Sequence, residues 1–365
     1  MHTHRRLLDD LFAVARATTI VVALAAAPLA ADDPATPERA ARPAATPTAI
    51  TPDEPLAESF SLKRAADYLD LVALDWQKKR GCGTCHTNFA YLMARPAIAS
   101  VSPPSKQVRG FFEGMVEKRW KEKGPRWPAE VVVAATTLAA NDRAMTGKLH
   151  STTRKALDRM WTLQREDGGW DWLVCGWPPM ESDDHYGVTF AAIGVGLAPG
   201  DYARTEAARK GLAGIREFLR AHPSPSAHHR AMELWASVHV DGLLGKDARA
   251  RVIEELFALQ RPDGGWAIAG LLEGWEEHER KDGKRQDLES SDGYGTGFVV
   301  HVLREAGVVA EDPRIRKAIA WIKSHQRQSG RWFTRSPTKD SKHFISNAGT
   351  AFAVLALSAC GEVER

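Results

Sequence analysis

Three segments of the chain repeat one pattern, Gln-x-x-x-Gly-x-Trp: Gln164-Arg-Glu-Asp-Gly-Gly-Trp170, Gln260-Arg-Pro-Asp-Gly-Gly-Trp266 and Gln326-Arg-Gln-Ser-Gly-Arg-Trp332. A repeat restricts the fold strongly, because each copy must form the same local unit and bury its apolar face on its neighbours. Each copy follows a helical apolar stripe, such as Ala156-Leu157-Met160-Trp161 or Val252-Leu256-Leu259. The glycine then supplies the backbone freedom that ends a helix. A second helix follows each turn and its start also repeats, in Gly187-x-x-Phe190, Gly295-x-x-Phe298 and Gly349-x-x-Phe352. The unit is therefore a helical hairpin. Further hairpins without the full motif can be traced from about Leu62 to Ala99, Lys106 to Ala140 and Ala208 to Leu244. Six hairpins predict an all-α fold, a closed (α/α)6 barrel with inner-helix starts around one mouth; an open superhelical array is the alternative.

The repeat resembles the QW motif of squalene-hopene cyclases, oxidosqualene cyclases and, more loosely, protein prenyltransferase β subunits, over roughly residues 58 to 360. Squalene-type cyclases carry two such barrels, whereas the six hairpins here imply a single toroid at 59–361 with a central cavity. The resemblance also implies that Gln164, Trp170, Gln260, Trp266, Gln326 and Trp332 tie the outer helices together and carry no chemistry.

Two inner helices are preceded by matching strings, Glu181-Ser-Asp183-Asp184-His185-Tyr186-Gly187 and Glu289-Ser-Ser291-Asp292-Gly293-Tyr294-Gly295. The first resembles the DxDD motif of class II terpene cyclases, with Glu181 in place of the first Asp. The resemblance gives Asp183 the part of a Brønsted acid that protonates an alkene, with Glu181 and Asp184 beside it. Such chemistry needs a strong acid in a dry pocket and aromatic faces for the cation. Trp172, Trp177, His185, Tyr186, Trp275, Asp292 and Tyr294 are the expected cavity residues. The competing expectation is capping, since a carboxylate satisfies free N–H groups at a helix start. Repetition pairs Asp184 with Asp292 and Glu181 with Glu289, leaving Asp183 unexplained by a cap. Prenyl transfer is not expected: that family's zinc site needs Asp-Gly-Cys where this chain has Asp292-Gly293-Tyr294, and His343 reads as an ordinary histidine.

The first hairpin carries Cys82-Gly-Thr-Cys85-His86 where those two hairpins carry their strings. Placing Phe89 on Phe190 puts Cys82 on Asp183 and His86 on Gly187, at the cavity mouth. Cys-x-x-Cys-His is the attachment pattern of c-type haem, in which two thioethers hold the porphyrin and His86 binds the iron. A redox disulfide or a zinc site is the alternative. Met180, His185 and His343 are candidate second axial ligands, while Cys175 and Cys360 read as thiols without a partner.

Basic residues His4, Arg5 and Arg6, then an apolar run from Ile20 to Ala27 and small residues near Ala30 and Ala31, read as a secretory signal at 1–31. A Pro-, Ala- and Thr-rich stretch, 32–58, reads as a linker. Export suits haem attachment, and the expected location is periplasmic or extracytoplasmic. The 49 basic and 46 acidic side chains leave a formal charge of +3, which argues for neither nucleic acid nor an anionic membrane. The mature chain is expected to lack a membrane span. The functional expectation is a terpenoid-cyclase-like toroid that binds an apolar, isoprenoid-like molecule and cyclises or oxidises it. The alternative is a non-enzymatic haem electron carrier or binding scaffold, with a redox partner in the first case.

Overall fold

The computed structural model describes residues 48–83, 86–274 and 279–363. The expected signal, most of the expected linker, Cys85 and Trp275 lie outside the described residues.

Twelve principal helices form six consecutive hairpins among the described residues. Odd-numbered helices are outer: α1 Leu62–Arg80, α3 Lys106–Gly114, α5 Ser151–Trp161, α7 Glu206–Ala221, α9 Lys246–Ala258 and α11 Pro313–Ser324. Even-numbered helices are inner: α2 Asn88–Ala94, α4 Pro128–Met145, α6 Asp184–Leu197, α8 Ala227–His239, α10 Gly293–Glu305 and α12 Ile345–Ala359. Outer helices bury one stripe, as α5 does with Thr153, Ala156, Leu157 and Met160. Inner helices are apolar around most of their circumference and buried accordingly, as in α6 and α12.

The inner helices pack in the order α2, α4, α6, α8, α10, α12, and α12 packs back on α2. That closes the ring and excludes the open array. No strand longer than a single bridged pair occurs among the described residues. No helix among them is long and apolar enough to cross a membrane.

The repeated motif performs one mechanical task three times. Each Gln amide donates to the carbonyl of its own turn glycine, at Gly168, Gly264 and Gly330, and to the backbone near the start of the next outer helix, at Gly211, Arg314 and Ser61. Each Trp is fully buried and its Nε1–H donates to a carbonyl ten residues earlier, on Met160, Leu256 or Ile322, at 2.6–3.0 Å. Gly168 and Gly330 have φ of 88° and 94°, and a Cβ on either would lie 2.0–2.2 Å from a carbonyl oxygen of the next outer helix. Only glycine fits there.

The expected linker differs at its end. Residues 48–58 lie against the last motif: Ala57 N–H donates to Gln326 at 2.8 Å, and Gln328 N–H donates to Pro55 at 3.1 Å. Buried Arg331 pairs with Glu54 and donates to the carbonyls of Thr48 and Ala49. A charged side chain this deep needs those partners, so the docked strap is part of the ring.

Candidate functional site

The first inner helix, α2, starts two residues after His86, which puts that imidazole beside an inner-helix start. Phe89 of α2 and Phe190 of α6 meet edge to face at 5.6 Å. Cys82 and His86 are both buried and line a cavity of about 520 Å³. Its apolar walls are Trp76, Trp127, Leu173, Trp177 and Phe344; Cys175 and Glu181 complete it on the side of the third hairpin. The volume falls within the range of small-molecule and cofactor sites. The Oε1 atom of Glu181 is buried and makes no hydrogen bond, a polar group left for an occupant. Burial pushes the His86 imidazole below its ordinary range, with Glu181 opposing, which favours the neutral ring that binds metals.

The other expected cavity residues gather elsewhere. Tyr186 and Tyr294 flank His228, which stacks on Phe298 at 4.6 Å, while Phe352 meets Tyr294 and Phe298 edge to face. The ring is filled by aromatic side chains at this level, so the expected central cavity gives way to one at the rim. His185 contacts Ser224 at 3.1 Å, and Ser224 donates to Glu233 at 2.9 Å. Trp172 donates to the Met180 carbonyl at 2.8 Å and packs over Gly187 beside Tyr186. Of the expected set, Trp177 and Glu181 share the rim cavity with Cys82 and His86.

The capping assignment is corrected. The N-cap of α6 is Asp183, whose Oδ1 accepts the Tyr186 N–H at 3.1 Å; Asp292 caps α10 by accepting the Gly295 N–H at 2.8 Å. Asp184 lies one residue inside its helix and holds Arg165 at 2.6 Å. The two helices begin one residue out of step with the matching strings, so the residue that repetition left unexplained is the cap. The second oxygen of Asp183 contacts His229 Nε2 at 2.9 Å. Burial raises the Asp183 carboxyl, but the bonds from His229 and Tyr186 outweigh it and hold the group below its usual range. Asp292 differs: burial pushes it up to about 7 against bonds from the Gly295 and Ile268 N–H groups and the Thr334 hydroxyl.

None of the expected second axial ligands lines the His86 cavity. His343 lines a separate polar cleft and accepts the Ser336 N–H at 3.0 Å, Met180 is packed, and His185 faces Ser224. Cys175, expected to be an idle loop thiol, joins the cavity instead. Among the described residues no group of three or more His, Cys, Asp or Glu side chains is placed to hold a metal ion. His228 and His229 were not anticipated. Their signal was Ser226-Ala-His228-His229 at the start of the fourth inner helix, matching Asp183-Asp184-His185-Tyr186 at the start of the third.

The protein is thus an all-α toroid with an aromatic-walled cavity at the mouth of the inner ring. Over residues 243–365 it matches the squalene-hopene cyclase C-terminal domain. It is 43% identical over 77 residues to the squalene–hopene cyclase of Bradyrhizobium diazoefficiens and 36% identical over 84 residues to a probable squalene–hopene cyclase of Sinorhizobium fredii. Each match covers 20% of this chain and 12% of the relative. Among solved structures, a glycosidase variant shares the fold, with a TM-score of 0.50 at 11% identity, over 83% of this chain and 98% of that one.

Proposed function

We propose that this is an exported toroid whose rim cavity binds an apolar, isoprenoid-like molecule and carries a covalently attached haem, making oxidation its chemistry. One observation carries the reading: the thiol and imidazole of the Cys-x-x-Cys-His element line an aromatic-walled cavity of about 520 Å³. The residues fit the group. Cys82 and Cys85 would hold the porphyrin, His86 would bind the iron, and Trp76, Trp127, Trp177 and Phe344 offer flat apolar faces to a macrocycle or a polyene. When bound, the haem supplies one-electron chemistry. The chain binds and orients the apolar molecule and excludes water from it.

Alkene protonation is less well supported. Both oxygens of Asp183 are engaged, one on the helix start and one on His229, and its carboxyl is held in the ionised form. Asp184 is paired with Arg165. A group that has already lost its proton is a poor donor to an alkene.

Co-expression with haem-maturation machinery in an exporting host tests the haem. One haem should appear in the intact mass, and Cys82→Ala with Cys85→Ala should remove it; an unmodified wild-type mass overturns the assignment. Farnesol should quench the fluorescence of the wall tryptophans in the haem-free protein, and absence of saturable quenching overturns the apolar ligand.

A further inference from the structure

The faces of the cavity wall carry a feature that an apolar ligand does not explain. The Arg80 guanidinium lies 5.5 Å over the Trp76 ring, the Lys339 ammonium 5.4 Å over Trp177, and the Lys342 ammonium 6.0 Å over Phe344. Arg126 joins them at the edge of the same space. Arg80, Arg126 and Lys342 thus line one cavity, and Lys339 rests on the ring of its wall residue Trp177. Among the described residues none of the four forms an ion pair. Nearby, by contrast, Arg280, Lys284 and Arg335 all converge on Asp340 at 2.7 Å. The one carboxylate in the cavity, Glu181, is buried in its wall.

We infer that the cavity mouth recognises an acidic head group, so that the occupant is an amphipath with an apolar body and a carboxylate or phosphate at its outer end. The inference rests on the apolar cavity proposed above and adds the polar half of the ligand. A cation on an aromatic face keeps its stem against the wall and its charge at the edge, and the three cations that line the cavity focus a positive potential on the opening. A wholly apolar molecule leaves that potential unused. An anionic head at the opening would accept charge-assisted hydrogen bonds from Arg80 and Arg126 while its body packs on Trp76, Trp177 and Phe344. Two sources share this chemistry: the acid group of a free ligand, and the porphyrin carboxylates of an attached haem.

The test compares farnesoic acid with farnesol by tryptophan quenching in haem-free protein at a pH where the acid is ionised. The acid should bind about tenfold more tightly at low salt, and the ratio should fall toward one as ionic strength rises. The double variant Arg126→Gln, Lys342→Gln, shown to be folded by circular dichroism, should lose the preference in the same way. Equal affinities, with farnesol still bound, overturn the acidic head while the apolar cavity stands; binding of neither probe overturns both. Repeating the comparison on haem-loaded protein separates the sources. A preference that survives loading assigns the cations to a free acid, and one lost only on loading assigns them to the porphyrin.

Discussion

Gln326 and Ser61 exchange two hydrogen bonds across 265 positions: the Gln326 amide donates to the Ser61 carbonyl at 2.9 Å, and its Oε1 accepts the Ser61 N–H at 2.8 Å. Ser61 is also the N-cap of α1, accepting from the Arg64 N–H. The last copy of the repeat therefore joins the end of the toroid to its beginning. Gln164 and Gln260 make the corresponding tie within the chain.

Replacing Gln326 by Ala should consequently cost about 1 to 3 kcal/mol, because the Ser61 groups lose their partners at a part-buried site. Urea unfolding reads this. The closure also predicts that the variant loosens the strap at 48–58, visible as faster proteolysis near Glu54, whereas Gln164→Ala should leave that site protected.

Trp266→Ala should destabilise by about 3 to 5 kcal/mol through the cavity it leaves, since the indole is fully buried and bonded to Leu256. Farnesol affinity at the rim should change little. A variant with an unchanged melting temperature would show that the repeat is not the mechanical tie described.

The three motif hairpins were legible because each depends on local signals, an apolar stripe followed by a glycine that the next helix backbone forces to be glycine. Closure followed from counting. The inner-helix caps were not legible to the residue: a capping carboxylate is chosen by where the backbone leaves its extended conformation, and Asp183 and Asp184 differ by one position with the same side chain. The site was half legible. Cys82 and His86 announce themselves by spacing, but Trp76, Trp127 and Phe344 come from three hairpins and reach one cavity only when the ring closes. His228 and His229 were overlooked because their hairpin lacks the repeat. The aromatic filling of the ring also escaped, since periodicity marks Tyr186, Tyr294 and Phe298 as inward without saying whether space remains between them.

Asp292 predicts a pH dependence of definite sign. Its carboxyl is raised to about 7 in the folded state by burial, above its ordinary unfolded value. The folded state thus holds a proton the unfolded state has lost, and this contribution is fully present below pH 4 and lost as pH rises through about 7. Asp292→Asn keeps a capping oxygen and removes the titration. The stability difference between variant and wild type should therefore shift in favour of the variant as pH rises from about 4 to 7; a difference flat across that window would show that the hydrogen bonds keep the carboxylate ionised throughout.

Asp183 predicts the opposite sign. Its bonds to His229 and to the α6 start hold it below its ordinary value, so its contribution is present above the unfolded value near 4 and lost as pH falls from there through the lower folded-state value. Asp183→Asn retains an oxygen for the Tyr186 N–H and should cost little through the cap, whereas Asp183→Ala should cost about 0.5 to 2 kcal/mol more. Relative to wild type, both variants should show their largest loss at neutral pH and converge on it in acid. The same pair decides the chemistry. With one oxygen on the helix and one on His229, Asp183 has no proton to give at neutral pH, so wild-type protein incubated with squalene should yield no cyclic product, and Asp183→Asn should match it. Cyclic product from the wild type that disappears in Asp183→Asn would establish the carboxyl as an acid and overturn the proposed oxidation.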